Sequence, residues 1–434
     1  MKIMHFSLGL PPFRTGGLNR YCMDLMKQQV LNGNEVSILF PGEYTFYRKV
    51  YVKEEKLFDF RCYRIINPLP VPLSNGVSEP KRYIKHASQS YFENFLKHIN
   101  PDVIHVHTLQ GFYREIFDAA KKLKIKMIFT THDYYAFCPV CVLLYKNNFV
   151  CQGGNPEKCL ECNAGRGLTR IQEVIMQSRI YEKIKYSSIL SRIRKQQRSR
   201  NNERTKSETV SLANEKDYAD LLSYYQSILM QMDIIHCNSN VAKKAYENMF
   251  PNLSYKVVPI THAGLSLHRT STKVGGTINI TFLGGLDSYK GFDILLKAVL
   301  SLDTMHQENW KLWLYGADFS SYCVDKRINN GGYFAKEQEN EIWNKENQLL
   351  VVPSQCQETF GFVVLEGLSH GVPVICSDLV GAKMMVPAEN IFQHDNPEAL
   401  AHIILNHSKD IRVMETDITM DYHCNQINKL YRKE

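Results

Sequence analysis

The chain has 434 residues, 44% of them hydrophobic, which is more than one ordinary core accommodates and points to two domains. Its 52 Lys/Arg against 44 Asp/Glu give a formal charge of +8. That dispersed excess suits an anionic ligand or an anionic membrane surface and argues against a nucleic-acid binder. The opening residues are too briefly apolar for a signal peptide, and no stretch approaches the ~18 uninterrupted apolar residues of a membrane span. We therefore expect a cytosolic protein whose 12 cysteines are thiols or metal ligands, not a disulfide framework.

In chain order, residues 2–8 read as a strand and 9–17 as a Gly/Pro loop. Residues 18–31 read as a helix stopped by Asn32-Gly33-Asn34, and 36–40 as a second strand, a βαβ opening. Short apolar runs recur at 103–106, 127–130, 234–237 and 255–258. Helical patterns separate most of them, as in a mainly parallel sheet. A second series starts near Thr277: a strand at 278–283, the loop Gly284-Gly285, Lys290-Gly291 and a helix to about 302. Strands at 312–315 and 349–352 follow, then a helix opening near Gly361, stopped by Gly371 and barred from continuing by Pro373. Between about 138 and 220 an insert interrupts the alternation. It is rich in cysteine at first and then basic and helical. The last helix falls near 422–432.

Two doubly wound domains place a ligand at the carboxyl ends of their strands, in the cleft between them. In the first half that position holds Gly16-Gly17, which lets a phosphate approach the backbone and the helix start. An ordinary turn is the alternative, and the dinucleotide pattern G-x-G-x-x-G is absent. In the second half Lys290 stands where it can reach a phosphate as a point charge, unless it is simply a solvated surface residue. Glu358 and Glu366, with seven residues between them, bracket the predicted helix start at Gly361, Phe362 and Val363, whose amides attract an anion. Such a site accepts a sugar at one end, a diphosphate in the middle and a ribose at the other. One capping and one solvated acid are the alternative.

The stretch "VVPSQCQETFGFVVLEGLSHGVPVICSD" closely resembles the E-x7-E region of family 4 retaining glycosyltransferases, which have the GT-B fold. "TGGLNRYCMDL", "PDVIHVHT", "FTTHDYYAFCP", "MDIIHCNSNVAKKAY" and "FLGGLDSYKGFDILLKA" resemble the family's other landmarks, in order and over nearly the whole chain. The resemblance implies transfer of a sugar from a nucleotide-sugar donor with retained configuration and no catalytic metal. It implies that Glu358 holds hydroxyls of the donor sugar, Glu366 the ribose and Lys290 the diphosphate. It also implies that Gly16-Gly17 face the diphosphate or reacting centre, and that His107 lines that centre. There are departures. Gly285 stands where many relatives have Arg, so Arg14 or another base would have to compensate. Thr261-His262-Ala263-Gly264 replaces the usual Asn-Gly linker segment, and a common acid is not found at Lys383 or Met384.

His105, His107 and His132 stand at strand ends, and a lone histidine there is more often packed or solvated than catalytic. The side chains of His105 and His107 are expected on opposite faces, with His107 nearer the cleft and His132-Asp133 as runner-up. Cys138, Cys141, Cys151, Cys159 and Cys162 cluster in the insert. The pairs Cys138-x2-Cys141 and Cys159-x2-Cys162, with 17 residues between them, suit a structural zinc, with free thiols as the alternative. By resemblance the quartet is Cys138, Cys151, Cys159 and Cys162. From Arg179 to Lys206 there are ten Lys/Arg and two Glu, a composition that fits either an anionic membrane or a solvated face.

The expectation is a GT-B α/β chain of two Rossmann-like doubly wound domains facing a cleft. Residues 1–262 would bind the acceptor and 263–417 the nucleotide sugar, with 418–434 a helix packing back on the N-terminal domain. The expected reaction moves a sugar from a UDP- or GDP-sugar to a glycan or lipid-linked acceptor, in polysaccharide or glycolipid synthesis. The expected location is cytoplasmic, peripheral on the inner face of the membrane. A nucleotide-sugar epimerase and a non-catalytic sugar-nucleotide binder are the alternatives.

Overall fold

The computed structural model describes residues 1–11, 14–73, 75–146, 149–184, 213–267, 276–334, 338–407, 409–410 and 415–432. The N-terminal sheet is built from β1 (Lys2–Phe6), β2 (Glu35–Pro41), β3 (Tyr51–Lys56), β4 (Arg61–Ile66), β5 (Val103–Val106) and β6 (Lys126–Thr130). A two-stranded hairpin in the insert, β7 (Leu144–Tyr145) with β8 (Phe149–Val150), stands apart. The sheet is completed by β9 (Ile234–Cys237) and β10 (Tyr255–Val257), in the order β10-β9-β6-β5-β1-β2-β4-β3. All its pairings are parallel except β3–β4.

The C-terminal sheet contains β11 (Ile278–Leu283), β12 (Trp310–Tyr315), β13 (Ile328–Gly332), β14 (Gln348–Val352), β15 (Val374–Ser377) and β16 (Ile391–Phe392). It is wholly parallel, in the order β13-β12-β11-β14-β15-β16. β5, β14 and β15 are buried at every position, which is why they read as continuous apolar runs and not as alternating ones. The chain is thus α/β, with two Rossmann-like domains.

Two edge strands were not legible in the sequence. β3 carries Lys53-Glu54-Glu55-Lys56 and β13 reads Ile-Asn-Asn-Gly-Gly. Edges tolerate charge and glycine because only one side pairs, so hydrophobic periodicity misses them.

The helix Met420–Tyr431 packs against the helix Gly17–Leu31 and β6 of the N-terminal sheet. Tyr21 Oη lies 2.8 Å from His423 Nε2, and Gln29 donates to Tyr431 Oη at 3.0 Å. One apolar cluster joins Tyr21, Leu25 and Ile260 to Leu350, Val364, Cys424 and Ile427, so both domains share buried surface with this helix. The insert holds the helices Pro156–Asn163, Arg170–Met176 and Arg179–Ile184, and the chain resumes with the helix Glu215–Leu229. Most of the basic stretch, including Arg194, Arg198 and Lys206, lies outside the described residues.

Candidate active site

β14 leads into Pro353 and Ser354, and the chain then loops to the helix Phe362–Ser369. Gly361 precedes that helix at φ +97°, and no side chain caps the helix start. Gly291, at φ +74°, brings the loop after β11 against this segment. A Cβ there would lie 1.7 Å from the Pro353 carbonyl oxygen, so only glycine permits the approach. The result is a close group. Lys290 Nζ donates to Glu358 Oε1 at 2.6 Å, and Ser354 Oγ donates to the same oxygen at 2.7 Å. Burial opposes ionisation of Glu358. The Lys290 charge and the two hydrogen bonds outweigh it and hold the carboxyl below its usual range. The Glu358 charge in turn raises Lys290, against the effect of burial.

Across the cleft, Gly17 begins the first helix with its Cα hydrogens against the Phe362 ring, where an added Cβ would sit 3.2 Å from Cδ2. Arg20, one helical turn on, reaches Glu366 at 3.4 Å, and His262 Nε2 lies 3.3 Å from the same Glu366 oxygen. Ser239 Oγ donates to the Thr359 carbonyl at 2.6 Å, and Thr359 Oγ1 donates to the His132 carbonyl at 3.1 Å. Two cavities flank the start of the Phe362 helix. One, of about 690 Å³, is lined by Gly16, Gly17, Arg20, Phe362, Val363 and Glu366, among others. The other, of about 200 Å³, is lined by His132, Tyr134, Lys290, Glu358 and Gly361, among others.

The glycine pair, Lys290, both glutamates and the Gly361–Val363 segment thus converge on one interdomain cleft. His107 does not join them. It is fully buried, with its ring nitrogens 2.9 Å from His5 Nδ1 and 3.2 Å from His132 Nε2. His132 lines the smaller cavity, and His107 lies behind it. The expected divergence of His105 and His107 is also wrong. Residues two apart on a strand share a face, and these rings lie 4.2 Å apart, centroid to centroid. Arg20 and His262 were not singled out as site residues. The spacing of Arg20 three residues after Gly17 on one helix face was a usable signal; the partner of His262 depends on how the two domains meet.

Burial pushes the Cys138 thiol up to about 11, with Cys151 and Cys162 adding to the shift; Cys159 is raised the same way by burial and then by Cys138, Cys151 and Cys162. Cys141 is also close to Cys138, but its thiol has another partner. Its Sγ lies 3.1 Å from the Leu73 carbonyl oxygen, and it lines the smaller cavity. Four thiols gathered this way are a donor set that suits zinc, although no three sulfurs lie within 4.8 Å of one another. Among the described residues the group of metal-capable side chains that does meet that spacing is His5, His105 and His107.

Two Rossmann-like domains that close on a cleft, with a helix start and two carboxylates on its C-terminal wall, define the GT-B class of glycosyltransferase. Residues 15–151 match the family described as Glycosyltransferase Family 4, and residues 277–410 match Glycosyl transferases group 1. Together these matches cover more than half of the chain, which belongs to the family 4/group 1 glycosyltransferases. A segment of 151 residues is 28% identical to an "Uncharacterized 42.6 kDa protein in cps region" of Klebsiella pneumoniae, covering 31% of this chain and 37% of that curated relative. Sucrose-phosphate synthase from Thermosynechococcus elongatus shares the fold at 16% identity and a TM-score of 0.55, over 99% of this chain and 98% of that one. An E. coli trehalose-6-phosphate protein described as bound with UDP-2-fluoro glucose does so at 11% identity and a TM-score of 0.54, over 100% of both chains.

Proposed function

We propose that the protein is a retaining glycosyltransferase that moves a hexose from a UDP- or GDP-sugar to a glycan or lipid-linked acceptor without a catalytic metal. The observation that carries this reading is the Lys290–Glu358 pair at one end of an uncapped helix start and Glu366 at the other. A nucleotide sugar has that order of groups: sugar, diphosphate, ribose. Residues 263–417 hold the donor. Glu358 receives sugar hydroxyls near the bond that breaks, and Glu366 receives the ribose. Lys290 and the amides of Gly361, Phe362 and Val363 take the diphosphate, with Gly16-Gly17 close enough for the N-terminal wall to cover it. Residues 1–262 supply the acceptor side, and 418–434 tie the two together. Arg20 provides a cation at the cleft where Gly285 provides none.

The acceptor reading draws on the insert. Ile171, Val174, Ile175 and Ile180 are exposed on its helices, and Phe46 and Tyr47 on the neighbouring loop. Arg179 ion-pairs with Glu43 of that loop at 2.8 Å. An apolar apron of this kind, with the basic stretch that follows it, suits a lipid-linked acceptor and peripheral attachment to the anionic inner face of a membrane. No helix among the described residues is long and apolar enough to cross one. A zinc held by Cys138, Cys151, Cys159 and Cys162 would order the insert and take no part in transfer.

Thermal-shift screening against UDP- and GDP-sugars tests the donor. A ligand at 100 times its Kd adds about 2.7 kcal/mol of stability. Product analysis with and without acceptor then separates transfer from isomerisation and from binding without turnover. Asparagine at Ile171, Ile175 and Ile180 is expected to lower liposome binding, and salt to lower its electrostatic part.

A further inference from the structure

A continuous file of buried polar groups runs behind the cleft. His236 Nε2 lies 2.8 Å from the Val258 carbonyl oxygen, and His236 Nδ1 lies 2.8 Å from Thr130 Oγ1. Thr130 Oγ1 is 2.6 Å from His105 Nε2, and His105 Nδ1 is 2.7 Å from Tyr431 Oη. Gln29 Nε2 donates to Tyr431 Oη at 3.0 Å, and Gln29 Oε1 lies 2.7 Å from His5 Nε2. His5 Nδ1 meets His107 Nε2 at 2.9 Å, and His107 Nδ1 meets His132 Nε2 at 3.2 Å. Burial is the first cause lowering the basicity of every histidine in the file, so all five are neutral at pH 7.

A neutral imidazole has one donor and one acceptor, a hydroxyl one proton, and a carbonyl only lone pairs. The Val258 carbonyl therefore sets the direction of the whole file. His236 must carry its proton on Nε2, so Nδ1 accepts from the Thr130 hydroxyl. Thr130 oxygen then accepts from His105 Nε2–H, and His105 Nδ1 accepts from the Tyr431 hydroxyl. Tyr431 oxygen accepts from the Gln29 amide, which leaves Gln29 oxygen to accept from His5 Nε2–H. His5 Nδ1 accepts from His107 Nε2–H, and His107 Nδ1 accepts from His132 Nε2–H. Every link of the file then pairs one donor with one acceptor, and the reverse direction would set a lone pair of His236 against the Val258 carbonyl.

We propose that this file is a positioning relay that holds His132 as its Nε2–H tautomer and presents the Nδ1 lone pair in the cleft as acceptor for a hydroxyl of the bound substrate. His132 lines the cavity that contains Lys290 and Glu358, and among the described residues its Nδ1 has no hydrogen-bond partner. Tyr431, on the last helix, and Thr130, at the end of β6, are positioning residues that act through His132. The hydroxyl as ligand rests on the transferase reading given above; the tautomer does not.

The test is long-range 1H–15N spectroscopy of protein labelled at histidine, with His132→Gln to assign the His132 signals. The unaltered protein is expected to show His132 protonated at Nε2. Thr130→Val removes the link to Val258. It would leave a buried N–H of His105 unpaired, a fault that reversal of the file relieves. His132 is then expected to move to the Nδ1–H form, and kcat/KM to fall about tenfold, the worth of one hydrogen bond. Thr130→Ser keeps a hydroxyl and is expected to restore both. Should Thr130→Val fail to fold, Tyr431→Phe frees the Gln29 amide to turn, and a mixture of His132 tautomers is expected. A native Nδ1–H form, or a His132 signal that neither Thr130→Val nor Tyr431→Phe changes, overturns the relay. A tautomer switch in a protein that turns over no nucleotide sugar upholds the relay and overturns the transferase reading.

Discussion

Lys290 Nζ and Glu358 Oε1 lie 2.6 Å apart, joining the loop after β11 to the loop after β14 at the floor of the cleft. The pair holds Glu358 ionised in a half-buried place. A carboxylate fixed there acts where charge develops as the glycosidic bond breaks, so its loss falls on turnover. Glu358→Gln is expected to lower kcat by ~100-fold or more, as for loss of a preorganised electrostatic contact. Steady-state kinetics at saturating donor, with folding checked by circular dichroism, decide the matter. Full turnover in this variant would remove Glu358 from the proposed role.

Glu366 sits on the helix Phe362–Ser369 that follows the Glu358 loop, and it faces Arg20 and His262. Its proposed partner, the ribose, does not react. Glu366→Gln is therefore expected to weaken donor affinity by roughly 1–3 kcal/mol, with KM raised and kcat little changed. Donor titration by calorimetry checks it; an equal fall in kcat and kcat/KM would contradict it.

The buried histidines make the fold sensitive to acid. Burial brings His5 and His236 to about 4, and His132 and His423 to about 3, from an ordinary value of 6.5. Above pH 6.5 each is neutral in both states and pH has no leverage. Below it the unfolded chain binds protons that the native state refuses, so stability falls until the native values are reached. Each group contributes up to about 1.4 kcal/mol per pH unit in that window. The melting temperature is expected to fall steeply between pH 6.5 and 4.5. His236→Gln should give a shallower slope, and an unchanged slope in that variant would place the acid lability elsewhere.

Metal content tests the cysteines. Purified protein is expected to hold about one zinc per chain, by four-thiolate stoichiometry. Cys159→Ser should lose it and Cys141→Ser should keep it, because the Cys141 thiol is engaged by the Leu73 carbonyl. Protein that contains no metal, gains none on adding zinc and melts unchanged would exclude the site.

Much of this was determined by the sequence alone. Strand and helix spacing already implied two parallel α/β domains, because strands buried on both faces read as apolar runs and helices as 3.6-residue periods. Gly16-Gly17, Lys290 and Glu358 were legible as cleft candidates for a similar reason: loops at strand ends converge by topology, whatever the detail of packing; Glu366 was singled out by its spacing from Glu358 on the helix that follows. The tertiary structure alone decided which groups meet across the cleft. Arg20 and His262 find Glu366 only because two domains close on each other, and chain distance carries no trace of that. It also decided the histidines. His132 is presented to the cleft and His107 is sealed behind it because β5 and β6 pair in parallel, with His105 opposite Ile128 and Val106 opposite Phe129. The proton order of the file depends on Val258 and Tyr431. These lie far from His132 in sequence, and only hydrogen-bond geometry within a dry core connects them.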